Sequence, residues 1–306
     1  MLFIKKLLTS FVIITLLSFV CFSPVGEAQV IPIEKLAKVE KILYGSPLEM
    51  PILQRINKVE KTLFNKNQKS SLITRSNNII NYVLNSVDEP SLLFLINTLE
   101  WTLTGNITRK PMIVKIANLE QVIYGKTKSG PLKVRIDKLL KMSLPSADLP
   151  YEELSLPADK LIRIKLLGRL SSQNSRVGQK VNFVVVNDIK HKGDLVIPGG
   201  TEGVLQVKKI TEAGKMGKDG EIKIDFSSLT AIDGSQISVK IDKKSQEENR
   251  SRKLALGASV LGTIILGPVG LIAGYFVEGE DKELPAGTEL YIQTEETVQL
   301  YGLVLQ

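Results

Sequence analysis

The chain has 306 residues and a formal net charge of +8, from 40 Lys and Arg against 32 Asp and Glu. That length admits two domains. A single Cys and a single His exclude disulfide frameworks, cysteine–histidine zinc sites and most transition-metal centres.

Residues 1–28 read as a secretory signal. Lys5 and Lys6 open it, an apolar stretch follows from Leu7 to Phe22, and Gly26-Glu27-Ala28 places small residues at the two positions a signal peptidase reads, so cleavage is expected after Ala28. Cys21 falls inside this segment, and Ser18-Phe19-Val20 before it do not form a lipoprotein box, so the processed chain carries no thiol. The expected location is the periplasm or cell surface, with outer-membrane association as the finer expectation. Basic character belongs to the first half. Residues 29–145 carry 18 Lys and Arg against 9 Asp and Glu, a net of +9, whereas residues 146–306 carry 20 against 22, a net of −2.

From residue 30 to about 145 the chain repeats with a strict period of 20, in six copies. Position one is Lys35, Arg55, Arg75, Leu95, Lys115 and Arg135. The next column is Leu36, Ile56, Ser76, Ile96, Ile116 and Ile136, and the fifth is Val39, Val59, Ile79, Leu99, Leu119 and Leu139. Glu recurs in the sixth column as Glu40, Glu60, Glu100 and Glu120. Ile52, Ile56, Val59 and Leu63 fall on one helical face, which predicts an amphipathic helix of about 14 residues per copy. Pro51, Ser71, Ser91, Pro111 and Pro131 suit helix starts, and Gly45, Asn65, Asn85, Gly105 and Gly125 suit left-handed ends. Helices this short are marginal alone and are expected to stack, as a solenoid or an antiparallel bundle.

The outward face of this array reads as a basic strip. Lys35, Lys38 and Lys41 are spaced along one helix, and Arg55, Lys58 and Lys61 along the next. Arg135, Lys138 and Lys141 continue the pattern. The nine are candidate contacts for an anionic envelope polymer or anionic lipid headgroups, and the alternative is a solvated helix face. Nucleic acid is not expected as a partner, because Trp101, Tyr44, Tyr82, Tyr124, Phe64 and Phe94 are few and mostly lie in apolar columns. The rhythm Leu119-Glu120-Gln121-Val122-Ile123-Tyr124-Gly125, Gly130-Pro131-Leu132, Arg135-Ile136 resembles short helical repeats of secreted proteins from anaerobic bacteria with outer membranes. That resemblance covers 31–145 and implies no activity.

Composition shifts at a Pro-rich stretch, 146–157, read as a linker. Strand signals follow over Leu161–Leu167, Val181–Val186, Leu195–Ile197, Gly203–Ile210, Glu221–Phe226 and Gln236–Ile241, separated by Gly-rich or Asp-Gly turns. Ile222-Lys223-Ile224-Asp225-Phe226 alternates strictly, so one face is charged and the sheet is not a membrane barrel. The phrases Pro198-Gly199-Gly200-Thr201-Glu202 and Pro285-Ala286-Gly287-Thr288-Glu289 read as two structural turns leading into strands. The predicted fold class is α+β in two separate domains: a helical array over 30–145 and an antiparallel β-barrel or sandwich over 158–306.

Residues 254–277 contain no charge. Arg250, Arg252 and Lys253 before the segment and Glu278, Glu280 and Asp281 after it oppose a single outward-to-inward span. Gly267-Pro268 can instead turn the chain back into an apolar hairpin inserted in the β-domain, with Leu254, Gly257, Gly262, Gly267, Pro268, Gly270 and Gly274 as candidate membrane or oligomer contacts. Together the strands, the twin turns, the Asp233-Gly234 turn and the apolar hairpin resemble the barrel of the outer-membrane scaffold of conjugative type IV secretion channels, over about 160–306. The resemblance implies a barrel with a two-helix antenna. This chain departs from that family in its cleavable signal and helical array.

No catalytic, cofactor or metal site is expected. His191 sits between Lys190 and Lys192, and the adjacent pairs Glu152-Glu153 and Glu295-Glu296 read as solvated. The expected function is a non-enzymatic envelope protein with a helical spacer and a membrane- or oligomer-anchoring β-domain. The alternatives are a component of an envelope transport or secretion assembly and an enzyme acting on cell-wall polymers.

Overall fold

A computed structural model describes residues 30–86, 89–143, 150–214, 219–256 and 281–305, with the backbone alone at 252–256. The signal segment 1–28 and the apolar hairpin beyond Leu256, with Gly257, Gly262, Gly267, Pro268, Gly270 and Gly274, lie outside the described residues.

Each repeat forms one helix: α1 (Ile33–Tyr44), α2 (Ile52–Phe64), α3 (Leu72–Leu84), α4 (Leu92–Thr104), α5 (Met112–Tyr124) and α6 (Leu132–Ser143). Their starts follow from the residues expected there. The Oγ of Ser71 accepts from the Thr74 N–H and that of Ser91 from the Phe94 N–H, both at 3.2 Å, satisfying donors that a helix start leaves open. Gly45, Asn65, Gly105 and Gly125 end their helices in the left-handed conformation, whereas Asn85 is extended. The apolar columns form one core in which Leu36, Ile56, Ile79, Ile96, Ile116 and Ile136 are fully buried.

The array is not a straight stack. Neighbours meet in sequence from α2 to α6, but α1 also packs against α3 and α5, and α2 against α6. Helices four apart therefore return beside one another, and the six coil into one closed body. An extended spacer, whose length grows with each copy, is replaced by a compact module.

The second half is antiparallel β. One sheet runs in the order β11 (Val239–Lys240), β13 (Glu289–Thr294), β2 (Leu161–Leu166), β4 (Lys180–Val185), β7 (Glu202–Thr211), β8 (Glu221–Phe226). Its end strands β8 and β11 approach each other, so the sheet nearly closes. A second sheet runs β1 (Tyr151–Leu156), β14 (Val298–Leu303), β6 (Asp194–Ile197), β5 (Ile189–His191), and two short pairs, β3 (Leu170–Ser171) with β12 (Glu283–Leu284) and β9 (Leu229–Thr230) with β10 (Gln236–Ile237), complete the described strands. Inward residues of the two larger sheets, among them Leu156, Ile164, Phe183, Val196 and Ile292, share one core. Strand β1 corrects the linker reading of 146–157: six of those residues pair with β14, from Tyr151 opposite Leu303 to Leu156 opposite Val298. Leu154 and Leu156 face the core, and Pro150 tolerates a strand edge because its carbonyl still accepts, here from the Val304 N–H at 3.0 Å.

The twin turns are structural copies. In each, a Thr hydroxyl donates to the Pro carbonyl three residues back at 2.7 Å, Thr201 to Pro198 and Thr288 to Pro285. The glycine between, Gly200 or Gly287, has φ of +80° or +88° and donates its N–H to the strand that pairs with the one the turn leads into, at Val185 of β4 or Leu166 of β2. The pairs β4–β7 and β2–β13 are thus equivalent parts of the six-stranded sheet.

Helix α7 (Lys243–Leu256) lies against β13. The Asn249 amide donates to the Tyr291 carbonyl at 2.9 Å and accepts from the Tyr291 N–H at 2.7 Å, as a paired strand would. It closes the part of the β13 edge that short β11 does not reach. Leu254 belongs to the last turn of this helix. Among the described residues no helix is long and apolar enough to cross a membrane.

The two halves are joined through α4. Phe94, fully buried, sits with Leu195, Ile232 and Leu303 of the β-region and meets the Tyr151 ring edge-on, with centroids 6.0 Å apart. The Asn97 amide donates to the Ile232 carbonyl at 2.9 Å. A side chain on Gly234 would be strained at its φ of +90° and would place its Cβ 2.3 Å from the Leu93 Cδ2, so a replacement costs backbone strain and displaces the Leu93 side chain. Arg109 pairs with Glu202 at 3.3 Å on the same side.

Candidate anion-binding groove

The basic position-one residues and the recurring Glu turn out to be partners. The Glu40 carboxylate is held by the Arg55 Nε at 2.7 Å and Nη2 at 2.9 Å, and Glu60 by the Arg75 Nε at 3.1 Å and Nη2 at 2.6 Å. Glu120 binds Arg135 through the same two nitrogens at 2.8 Å each, and the Lys115 Nζ binds Glu100 at 2.8 Å. The spacing is 15 residues every time. The same carboxylates accept a backbone N–H from the following loop, at Leu48, Gln68, Thr108 and Lys128. These Glu side chains are 0–7% exposed. In four of the six copies one buried carboxylate therefore fixes both the loop and the next helix, three times with the bidentate geometry that suits guanidinium.

Leu140 takes the Glu column in the last copy, which no further repeat follows, and the exceptions that remain are a matched pair. The third copy has Ile80 in place of Glu, and the fourth has Leu95 in place of a basic residue, 15 positions on. Both join the apolar core, so where one charge is missing its partner is missing too.

Arg55 and Arg135 consequently leave the outward basic strip. Their side chains are 13% and 11% exposed and their charge is balanced inside the array. Lys35, Lys38 and Lys41 on α1, Lys58 and Lys61 on α2, and Lys138 and Lys141 on α6 are exposed. The coiling of the array selects among them. Because α2 returns beside α6, Lys58, Lys61, Thr62 and Asn65 face Gly130, Pro131, Leu132 and Arg135 across a groove of about 390 Å3. A second groove of about 300 Å3 also has Arg135 in its lining, with Tyr124, Lys128, Ser129, Val134, Lys138 and the Glu120 carboxylate. Lys35, Lys38, Lys41 and Lys141 line neither groove. Lys128 does, and it was missed because it sits in a loop.

Burial alone would raise the Glu120 pKa, but its hydrogen bonds to Arg135 and to the Lys128 N–H outweigh burial and hold it below the ordinary carboxylate value. The carboxylate stays charged and neutralises Arg135, which leaves the four exposed lysines, Lys58, Lys61, Lys128 and Lys138, as the effective charge of the two grooves. Lys58 stands over the Tyr44 ring, 5.5 Å from its centroid, and Lys128 over Tyr124 at 5.0 Å. Because the folded-state value of Glu120 is depressed, its stabilisation is present above the ordinary carboxylate pKa and is lost as pH falls through the lowered one. The stability gap between the protein and Glu120→Gln is therefore expected to shrink on acidification. Urea unfolding of both from neutral to acid pH checks this, and a constant gap would contradict it.

No family model and no curated protein matches the chain. A solved structure to which it is similar is ComB10 of the Com type IV secretion system of Helicobacter pylori, with 16% identity over 48% of this chain and 90% of that one, at a TM-score of 0.26. A likeness of that size carries no argument for fold or function.

The remaining candidates gather no site. Glu152, Glu153, Glu295 and Glu296 are exposed. Among the described residues no group of three His, Cys, Asp or Glu side chains could hold a metal ion. Burial first, and then Lys160 and Lys192, lower the His191 pKa, so its imidazole favours the neutral form.

Proposed function

We propose that the chain is a non-enzymatic protein of the bacterial cell envelope whose coiled helical array holds an anionic envelope component, while the β-region serves assembly. The observation that carries the binding part is the meeting of Lys58 and Lys61 with the α6 end across one groove. These residues come together only because the array closes on itself. Export rests on the signal pattern of residues 1–28.

Binding of the purified full-length protein to an immobilised polyanion, measured across salt concentrations, tests the reading. Affinity should fall steeply with salt, since exposed charges are screened within about 8 Å at physiological ionic strength. At roughly 1 kcal/mol per cation near an anionic surface, Lys58→Ala with Lys61→Ala should weaken binding about 30-fold. Lys35→Ala with Lys38→Ala, outside the groove, should do much less. Equal losses from the two pairs would return the lysines to the role of a solvated face.

A further inference from the structure

The two grooves share one wall. Arg135 lines both, with Lys58 and Lys61 in one and Lys128 and Lys138 in the other. We infer that they form one continuous site for a linear polymer carrying an anionic group, phosphate or carboxylate, on successive units.

The charge distribution distinguishes this from a site for one ion. The Arg135 guanidinium is bound through Nε and Nη2 to Glu120, at 2.8 Å each, so the shared wall is a neutral ion pair. The cationic centres are separate from it, Lys58 and Lys61 in one groove and Lys128 and Lys138 in the other. A single small anion can occupy one centre and leaves the other unused. A chain that crosses the wall places one charge at each. Both grooves, at about 390 and 300 Å3, have the volume of small-ligand pockets and so accommodate a polymer unit rather than a bare oxyanion. The uncharged parts of such a unit also find a surface, since Tyr124 and Val134 line the second groove and Ile113 and Leu132 the first.

Joining two weak contacts through one ligand converts the second into an intramolecular event, which raises affinity 10²–10⁴-fold without any new contact. This inference rests on the proposal that the α2–α6 groove takes an anion, and its test separates the two. Isothermal titration of the full-length protein would compare inorganic phosphate, long-chain linear polyphosphate and vesicles rich in anionic lipid. Polyphosphate should bind at least about 100-fold more tightly per chain than phosphate. Lys128→Ala with Lys138→Ala, and Lys58→Ala with Lys61→Ala, should each lower polyphosphate affinity about tenfold or more. If only the Lys58 and Lys61 changes matter, the two-groove site is wrong and the single groove stands. Tighter binding to vesicles than to polyphosphate would replace the polymer with a membrane surface. No loss with all four lysines changed would overturn both readings.

Discussion

Replacing Glu60 with Ala while Arg75 remains is expected to cost about 3–5 kcal/mol of stability, because it strands a buried guanidinium without its counter-charge. Arg75 is 6% exposed and Glu60 is fully buried. The substitution also deprives the Gln68 N–H of its acceptor, which it reaches at 3.1 Å. Arg75→Leu alone should be comparably harmful, since it leaves the Glu60 carboxylate buried without its cation. The double variant Glu60→Ile, Arg75→Leu is the informative one. It copies the exchange that the chain already makes between its third and fourth helices, where Ile80 and Leu95 occupy the same two columns. Apolar replacement of a whole buried ion pair is commonly neutral or stabilising, and the main residual cost is the loop N–H of Gln68, about 1–3 kcal/mol. Urea unfolding of the two single variants and the double should therefore give a strongly non-additive cycle, with the double well above either single. Additive losses would mean that the ion pairs do not act as units and that the Ile80 and Leu95 coincidence carries no energetic content.

That pairing shows what the sequence disclosed and what it withheld. Helices α1 to α6 were legible because each copy repeats its own start, stripe and stop, and β2, β4, β7 and β8 because their alternation and Gly-bounded runs are strong signals. Down their own column and along their own helices, Arg55 and Arg135 look like surface charges. Their partners lie 15 residues back in a different copy, and only the joint exceptions at Ile80 and Leu95 betray the link. The return of α2 beside α6 was not legible at all. A 20-residue period specifies that helices stack, not the angle at which each turns on the last, and that angle decides whether the array extends or closes. The groove containing Lys58 and Lys61 follows from closure, so it was hidden for the same reason. Strand β1 was hidden by its setting between Pro150 and Pro157, although its inward Leu154 and Leu156 keep the period of two.

The irregular fourth copy leads to the second large effect. Phe94→Ala is expected to cost about 3–5 kcal/mol, the usual loss on truncating a fully buried Phe, and to lose it at the joint rather than within either half. Among the described residues four buried apolar side chains centre that joint, Phe94, Leu195, Ile232 and Leu303, with Leu95, Trp101, Ile107, Tyr151 and Leu305 half-buried around them, helped by the Asn97 amide and the exposed Arg109–Glu202 pair. The cores on either side are far larger and do not include Phe94. An interface this small gives the two halves one cooperative transition only while it is intact, since relative motion is the default for domains without a large apolar contact. Scanning calorimetry of Phe94→Ala should resolve two transitions where the unaltered protein shows one. Leu99→Ala is the control, because Leu99 lies on the same helix but belongs to the array core. It should lower the stability of the array by a similar amount and leave the coupling unchanged. A single transition in Phe94→Ala, unshifted from the unaltered protein, would mean that α4 diverged from its repeat for some reason other than holding the β-region.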